Sequence, residues 1–177
     1  STEAEGLDLL RTRECRYVAT DARTATSAFH GVAAWAGKER SDYYEVYSQR
    51  TSGSGLETIV LYYPEYFQSM LIRLQCFSGE SYVPETYRVI RYEDSGGLSG
   101  AEKLIVELKR FSTYDEAQAY IVSTGSDHVR LVSSDQFESC VPLEEMTSYD
   151  MVFESAEVRT LSGDRLPEVR IFEVSGF

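Results

Sequence analysis

Helical and extended patterns of hydrophobic residues follow one another along the chain. In the first helical pattern, leucines recur on one side, and Thr2 is followed three residues later by Glu5, an arrangement that caps a helix start. Asp21 and Gly37 are residue types that begin and end helices, and they bracket an alanine-rich segment. Four helices are predicted, at 2–13, at 22–36, at 65–77 and from a cap at Ser112 or Thr113 to 122.

Alternating apolar and polar residues predict strands in several segments. Residues 86–92 and 103–110 alternate in this way on either side of a glycine-rich turn, which predicts a long-looped hairpin. Residues 43–49 are aromatic and fit either a strand or a helical turn. We expect Pro64 to stop a strand and Pro167 to mark a turn. Further strands are predicted at 15–19, 58–63, 129–132, 149–155 and 169–174.

The predicted elements lack the strict strand–helix alternation that builds a parallel sheet, so the expected fold class is α+β. We expect a mixed sheet with packed helices in the N-terminal part, 1–80, and a strand-rich C-terminal part, 81–177. A length of 177 residues fits a single domain, 1–177, that buries a substantial core. The chain has no apolar run of about 18 residues, the length needed to cross a bilayer.

Charge limits the partners that this chain can bind. It carries 29 acidic and 17 basic side chains, a net charge of −12, and the arginines are scattered. Because an acidic surface repels phosphate backbones, nucleic acid is not an expected partner. The chain also has 13 tyrosines, whose rings suit half-buried strands and surfaces that touch partners or sugars.

Candidate catalytic and metal-binding residues are few. His30 and His128 belong to no nucleophile, metal or triad pattern, and a lone histidine is more often structural. Cys15, Cys76 and Cys140 are widely spaced, without a C-x-x-C pair, which argues against a zinc site. Small apolar core cysteines fit this spacing best, and one disulfide is left open. The sequence therefore predicts neither a catalytic residue nor a metal ligand in this chain.

Two further motifs have structural interpretations. Glu144 and Glu145 follow Pro142, which favours a solvated helix start over acid–base chemistry. The glycines of residues 95–100 lack the following lysine of a phosphate loop, so a hairpin loop is the better interpretation.

Short aromatic and acidic motifs also occur in a definite order along the chain. They are Arg16-Tyr-Val-Ala-Thr-Asp21, Trp35-Ala-Gly37, Asp42-Tyr-Tyr-Glu45, Tyr62-Tyr-Pro-Glu-Tyr66, Phe111-Ser-Thr-Tyr-Asp-Glu-Ala-Gln-Ala-Tyr-Ile121, Val141-Pro-Leu-Glu-Glu145, Tyr149-Asp-Met-Val-Phe-Glu-Ser155 and Val169-Arg-Ile-Phe-Glu-Val174. Their order resembles the C-terminal soluble part of the catalytic subunit of archaeal oligosaccharyltransferase, the AglB family, which glycosylates asparagines outside the cell. The resemblance runs from about residue 5 to residue 174.

The resemblance implies that the chain is a fragment of a larger membrane enzyme, on the extracellular side of the cell membrane. The family's Trp-Trp-Asp-Tyr-Gly motif is missing, since Trp35 is the only tryptophan. The Mg²⁺ or Mn²⁺ ion and the lipid-linked oligosaccharide would be held by the missing membrane part. This fragment alone would be inactive and without cofactor, while its partner would be an acceptor polypeptide with an Asn-x-Ser/Thr sequon.

One acceptor-side site of the family should fall within this chain. In the family, a helix after the first strand carries an Asp-x-x-Lys-x-x-x-Met/Ile-type motif beside the sequon pocket. On the predicted helix 22–36, Thr24, Ala28 and Val32 stand at spacings of four and would share one face. The chain departs from the motif, because no lysine lies between Asp21 and Val32 and valine stands at the apolar end. An alanine-rich packing face fits the same residues.

Two other functions stay open from the sequence. The chain fits a stand-alone extracytoplasmic module that binds carbohydrate or protein through its tyrosines, and it fits a small cytosolic α+β interaction protein. Only the oligosaccharyltransferase hypothesis requires about a dozen membrane-crossing segments upstream in the same reading frame.

Overall fold

A computed structural model describes residues 3–51, 55–96, 103–161 and 163–176. It has helices with mixed and antiparallel sheets, which confirms the α+β class. The chain divides into two compact units. Unit 1 contains Ser1–Arg40, Gln68–Tyr82 and Leu143–Phe177, and unit 2 contains Ser41–Phe67 and Val83–Pro142. Both units draw on both halves of the chain, so the division does not follow the expected parts 1–80 and 81–177.

Most elements are joined by short connections, but residues 133–148 form a long one between two strands. The helices are α1 (Glu3–Thr12), α2 (Ala22–Ala25), α3 (Phe29–Trp35), α4 (Pro64–Phe67), α5 (Met70–Phe77) and α6 (Tyr114–Thr124), with a 3₁₀ turn at Arg40–Asp42. The strands are β1 (Tyr17–Asp21), β2 (Tyr44–Arg50), β3 (Leu56–Tyr62), β4 (Tyr87–Asp94), β5 (Lys103–Phe111), β6 (Val129–Val132), β7 (Tyr149–Glu154), β8 (Glu157–Arg159), β9 (Arg165–Pro167) and β10 (Val169–Val174).

Unit 1 is built on a three-stranded antiparallel sheet in the order β1-β10-β7, so its central strand comes from the end of the chain. Phe172 and Val174 of β10 are buried with Leu74 of α5, and Leu7 and Leu10 of α1 pack against them. Burial of these apolar side chains provides most of the driving force for folding in this unit. The strands β8 and β9 form a separate hairpin.

Unit 2 is a five-stranded sheet in the order β3-β2-β5-β4-β6, with β2 and β5 parallel and the other pairs antiparallel. Its two outer strands meet through Tyr62 and Ser133, whose backbone N–H groups donate to each other's carbonyl oxygens at 2.8 and 2.9 Å. The sheet therefore closes on itself, and we call β2–β6 the barrel. Helix α6 packs on its outside, where Tyr120 lies against Phe111.

Several local predictions are confirmed. The segments 86–92 and 103–110 form the antiparallel pair β4 and β5. Thr113 caps α6 by accepting a hydrogen bond from the Glu116 N–H. The ambiguous aromatic segment is strand β2. Part of the predicted loops at 51–55 and 95–100, and the predicted cap Thr2, lie outside the described residues.

The predicted helices 22–36 and 65–77 are each two helices. After α2, the Thr26 hydroxyl donates to the Ala22 carbonyl at 2.6 Å, and the Ala28 N–H reaches the Arg23 carbonyl at 2.9 Å. Such local bonds compete with a regular helix, so the chain turns before α3 begins. Ser69 has the extended backbone of an N-cap residue and separates α4 from α5.

The expectation that Pro64 stops a strand is confirmed, because β3 ends at Tyr62. Pro64 also begins α4, a position where the missing N–H of proline is tolerated. Two other expectations were wrong. Pro167 lies in β9 instead of a turn. Glu144 and Glu145 start no helix, because the preceding Leu143 pairs with Tyr82 through two backbone hydrogen bonds and holds the chain extended.

Single residues also differ from the patterns. Leu9, one of the leucines expected on the apolar side of α1, is 61% exposed. The first strand begins at Tyr17, two residues later than predicted, and continues to Asp21.

Candidate functional site

The predicted acceptor-side residues lie on two helices. Thr24 belongs to α2, Val32 belongs to α3, and Ala28 is the residue that caps the start of α3. All three are half-buried. Because the helix is interrupted between Ala25 and Phe29, the expected continuous face with spacings of four is not formed.

Asp21 fixes the start of this region, as the sequence predicted. Its carboxylate accepts from the Thr24 N–H at 2.9 Å and from the Thr24 hydroxyl at 2.6 Å. The carboxylate therefore satisfies a helix N–H and also holds the threonine side chain. The Thr24 hydroxyl is engaged within α2, and its role here is to complete the cap.

A buried polar network connects β1, the strand that leads into α2, with its neighbouring elements in unit 1. The Thr20 hydroxyl donates to the Gln75 side-chain oxygen at 2.7 Å, and the Gln75 amide donates to the Pro167 carbonyl at 2.7 Å. The Arg170 guanidinium donates to the Gln75 carbonyl at 2.5 Å and to the Glu154 carboxylate at 2.8 Å. Since buried polar groups are costly when unpaired, this network holds β1, α5 and β10 in one arrangement.

The surface of α3 is the accessible part of the region. Val32 and Trp35 are three residues apart and are therefore neighbours on the helix surface. Trp35 is 92% exposed, whereas Phe29 and Ala33 face the core. Gly37 ends the helix region with φ near +70°, as its residue type predicted. An exposed tryptophan beside a half-exposed valine is a small apolar surface suited to contact with a partner.

A second polar cluster, which we call the tyrosine–carboxylate network, lies at one end of the barrel interior. The Glu45 carboxylate accepts hydrogen bonds from the Tyr63 hydroxyl and from the Lys103 ammonium, each at 2.5 Å. The Tyr47 and Tyr63 hydroxyls lie 2.6 Å apart. The Arg130 guanidinium stacks 4.7 Å from the Tyr63 ring centre. The half-buried negative charge of Glu45 thus has cations and hydroxyl donors around it.

This environment shifts the pKa values in opposite directions. Burial acts to raise the pKa of Glu45, but hydrogen bonds from Lys103 and Tyr63 and the charges of Lys103 and Arg130 outweigh it, so the pKa lies below its usual range. Burial raises the pKa of Tyr63 far above that of an ordinary tyrosine, and its bond to Glu45 adds to the effect. The pKa of Tyr47 is raised mainly by burial. The network therefore holds one anion and two neutral phenols at neutral pH.

This network is not predicted by the patterns in the sequence. A weak signal existed, since Glu45 and Tyr47 are two residues apart and share one face of a strand. Their partners are distant in sequence: Tyr63 lies 16 residues after Tyr47, and Lys103 lies 58 residues after Glu45. No local sequence pattern connects these residues.

Other candidate residues are dispersed. His30 lies exposed on α3 and His128 stands just before β6, as expected. The three cysteines are free, and burial raises the pKa of the Cys76 thiol to about 12, so it is not a reactive thiolate. Within the described ranges, no group of three or more His, Cys, Asp or Glu side chains could hold a metal ion.

No protein-family model, curated protein or solved structure matches this chain. Among the helices of the described residues, none combines the length and the apolar character that a membrane crossing requires.

Proposed function

We propose that this chain is the C-terminal extramembrane domain of an oligosaccharyltransferase catalytic subunit, which acts in asparagine-linked protein glycosylation on the extracellular side of the membrane. Its role would be to scaffold the enzyme and to contact the hydroxyl-bearing residue of the acceptor sequon through α3. The lipid-linked oligosaccharide and the Mg²⁺ or Mn²⁺ ion would be bound by the membrane part of the parent protein.

The observation that carries the proposal is the pairing of distant sequence motifs in one sheet. The motifs that begin at Arg16, Tyr149 and Val169 form β1, β7 and β10, which are neighbours in unit 1. The first of these motifs is separated from the other two by more than a hundred residues in sequence, and its Thr20 pairs with Arg170 of the last one. Their pairing shows that the three motifs build one sheet, as the proposal requires of segments that belong to one domain.

In this proposal, α3 is the part of the domain that contacts the acceptor. The buried network of Thr20, Gln75 and Arg170 holds the sheet that leads into α2, and α3 follows after one turn. Val32 and Trp35 face outward on α3. A threonine in the sequon would place its methyl group against Val32, which serine cannot do. Burying one such methyl stabilises the complex by about 0.8 kcal/mol, a few-fold preference at most.

A carbohydrate-binding module is less well supported. Such a module would bind through tyrosines, and Tyr47, Tyr63 and Tyr66 are almost completely buried. Tyr17, which is 52% exposed, remains available for that role.

Trp35 makes the proposal testable with this chain alone. It is the only tryptophan and lies on the proposed contact surface, so its fluorescence reports on α3 directly. We expect saturable changes on titration with Asn-x-Thr peptides, weaker ones with Asn-x-Ser, and none with Asn-x-Ala. Identical responses to all three peptides would contradict the proposed acceptor contact.

A matched pair of variants tests the same point in the longer enzyme. Val32→Ala should reduce the preference for threonine over serine acceptors, because it removes the contacting methyl groups. Val122→Ala, at a 77% exposed valine on α6, should leave the ratio unchanged. A reading frame without membrane-crossing segments upstream would exclude the whole proposal.

A further inference from the structure

The barrel contains a cavity that is open to solvent at its mouth, where Arg88 and Arg110 lie at the opposite end of the β4–β5 pair from Lys103 of the tyrosine–carboxylate network. Its volume is about 220 Å³. The walls are apolar in the middle and polar at the mouth. The apolar wall includes Ile59, Leu61, Ile90, Ile105 and Val132, and the polar mouth includes Arg88, Arg110 and Ser134.

The two ends of the barrel interior differ in charge balance. At one end, the cations Lys103 and Arg130 stand beside the Glu45 carboxylate, which forms an ion pair with Lys103 at 2.5 Å. At the other end, Arg88 and Arg110 form no ion pair with any carboxylate in the described part of the chain. In a protein of net charge −12, two uncompensated guanidinium groups at one cavity mouth are a specific feature.

The two arginines are direct neighbours. Arg88 of β4 and Arg110 of β5 are cross-strand partners, so their side chains start from adjacent points on the same face of the sheet. Like charges directly opposite each other destabilise a strand pair. Arg88 is oriented by a hydrogen bond to the Ser134 hydroxyl at 2.8 Å. Glu57 accepts a bond from Gln49 at 2.5 Å and neutralises neither arginine.

We propose that this cavity binds a small amphiphilic anion, with a carboxylate or phosphate group held between Arg88 and Arg110 and an apolar tail inside the barrel. Guanidinium groups bind both anions through paired, charge-assisted hydrogen bonds. The anion relieves the repulsion between the two arginines. The tail contacts Ile59, Ile90 and Ile105, which line the cavity.

The cavity size limits the tail. An apolar cavity of about 150 Å³ holds a benzene-sized molecule. The volume of about 220 Å³ therefore accommodates a short alkyl chain or one aromatic ring, and excludes a full-length lipid chain lying wholly inside. A longer chain would have to extend past Leu108, which is 50% exposed.

The isoleucines provide a test with an internal control. Ile59, Ile90 and Ile105 line the cavity, whereas Ile72, Ile121 and Ile171 do not. In a sample with labelled isoleucine methyl groups, octanoate or octyl phosphate should shift the first three NMR signals in a saturable way and leave the other three in place. The tighter of the two ligands identifies the preferred anion. Shifts spread over all six signals, or no shifts, would overturn the proposal.

Head-group and arginine variants test the role of charge. Octanol and octyltrimethylammonium carry the same chain without an anionic head group and should bind at least about tenfold more weakly than octanoate. Octanoate should likewise bind at least about tenfold more weakly to Arg88→Gln or Arg110→Gln. In both cases, charge-assisted hydrogen bonds between the anion and the arginines are lost. Arg91→Gln is the matched control, since Arg91 pairs with Glu107 on the opposite face of the sheet. Equal binding of octanol and octanoate, or equal losses in Arg91→Gln and Arg88→Gln, would refute the assignment. An unchanged signal of Ile121, which lies on α6 in the same unit and does not line the cavity, verifies that the barrel of each variant is folded.

Discussion

The hydroxyl oxygens of Tyr47 and Tyr63 lie 2.6 Å apart inside the barrel, and both hydroxyls also approach the Glu45 carboxylate. The two tyrosines come from strand β2 and from the residue after β3. Their contact ties neighbouring strands together at a point where one carboxylate, one ammonium and two phenols must all be satisfied. Removal of one member leaves another without its partner, so substitution or titration of any of them should change the stability of the fold.

Replacing Tyr63 by Phe should lower the free energy of unfolding by about 1–3 kcal/mol, because Glu45 loses a buried hydrogen-bond donor. Urea denaturation followed by circular dichroism measures the change. Tyr17→Phe is the control, since Tyr17 is 52% exposed and should change stability little. Equal effects of the two substitutions would show that the network does not contribute.

The raised pKa values of Tyr47 and Tyr63 predict alkaline behaviour. A tyrosine in the unfolded chain loses its proton at about pH 10. The hydroxyls of Tyr47 and Tyr63 stay protonated at that pH in the folded protein. The folded state then binds more protons above that pH, so the free energy of unfolding falls as pH rises further. Phenolate absorbance of the native protein should account for fewer than its 13 tyrosines, with the remainder appearing on unfolding. Titration of all 13 before unfolding would contradict the burial.

The lowered pKa of Glu45 predicts that, in acid, the free energy of unfolding rises with pH. Its stabilising contribution is complete above the pKa of an unfolded glutamate, about 4.3, and is lost as pH falls through the lower folded value. Glu45→Gln should flatten this part of the stability profile. A profile with the same slope in the variant and the parent would show that other carboxylates cause the acid loss.

Asp21→Ala should destabilise unit 1 by about 1 kcal/mol, because the α2 N–H of Thr24 loses its acceptor. Asp21→Asn should retain most of the stability, since asparagine also caps helices well. Thermal or urea unfolding measures both. If alanine and asparagine behave alike, the cap contributes nothing at this site.

Elements whose determinants are local could be predicted from the sequence. The hairpin of β4 and β5 follows from alternation, and the cap of α6 follows from Thr113 and the acidic first turn. The helix 22–36 was predicted as continuous because alanine favours helices throughout it. At the interruption, the Thr26 hydroxyl bonds to the Ala22 carbonyl and the Ala28 N–H bonds to the Arg23 carbonyl, and composition does not reveal these local bonds.

Features that join distant residues could not be predicted. Closure of the barrel depends on a single bridge between Tyr62 and Ser133, 71 residues apart, which leaves no periodic signal. The same holds for the acceptor-side residues, since the predicted spacing of Thr24, Ala28 and Val32 assumed a helix without a turn. In the sequence, Arg88 and Arg110 are ordinary polar positions of alternating strands. Only the strand register shows that they lie opposite each other.

The central position of β10 has a consequence for biosynthesis. β10 follows every other strand in the sequence, yet both β1 and β7 pair with it. On the ribosome, β1 must therefore wait without a sheet partner while about 150 later residues are made, whereas the segments of unit 2 are complete by Pro142. Because unpaired strand edges promote aggregation, a nascent chain stalled before Val169 would be the vulnerable species. Expression yield should therefore depend on translation continuing through β10.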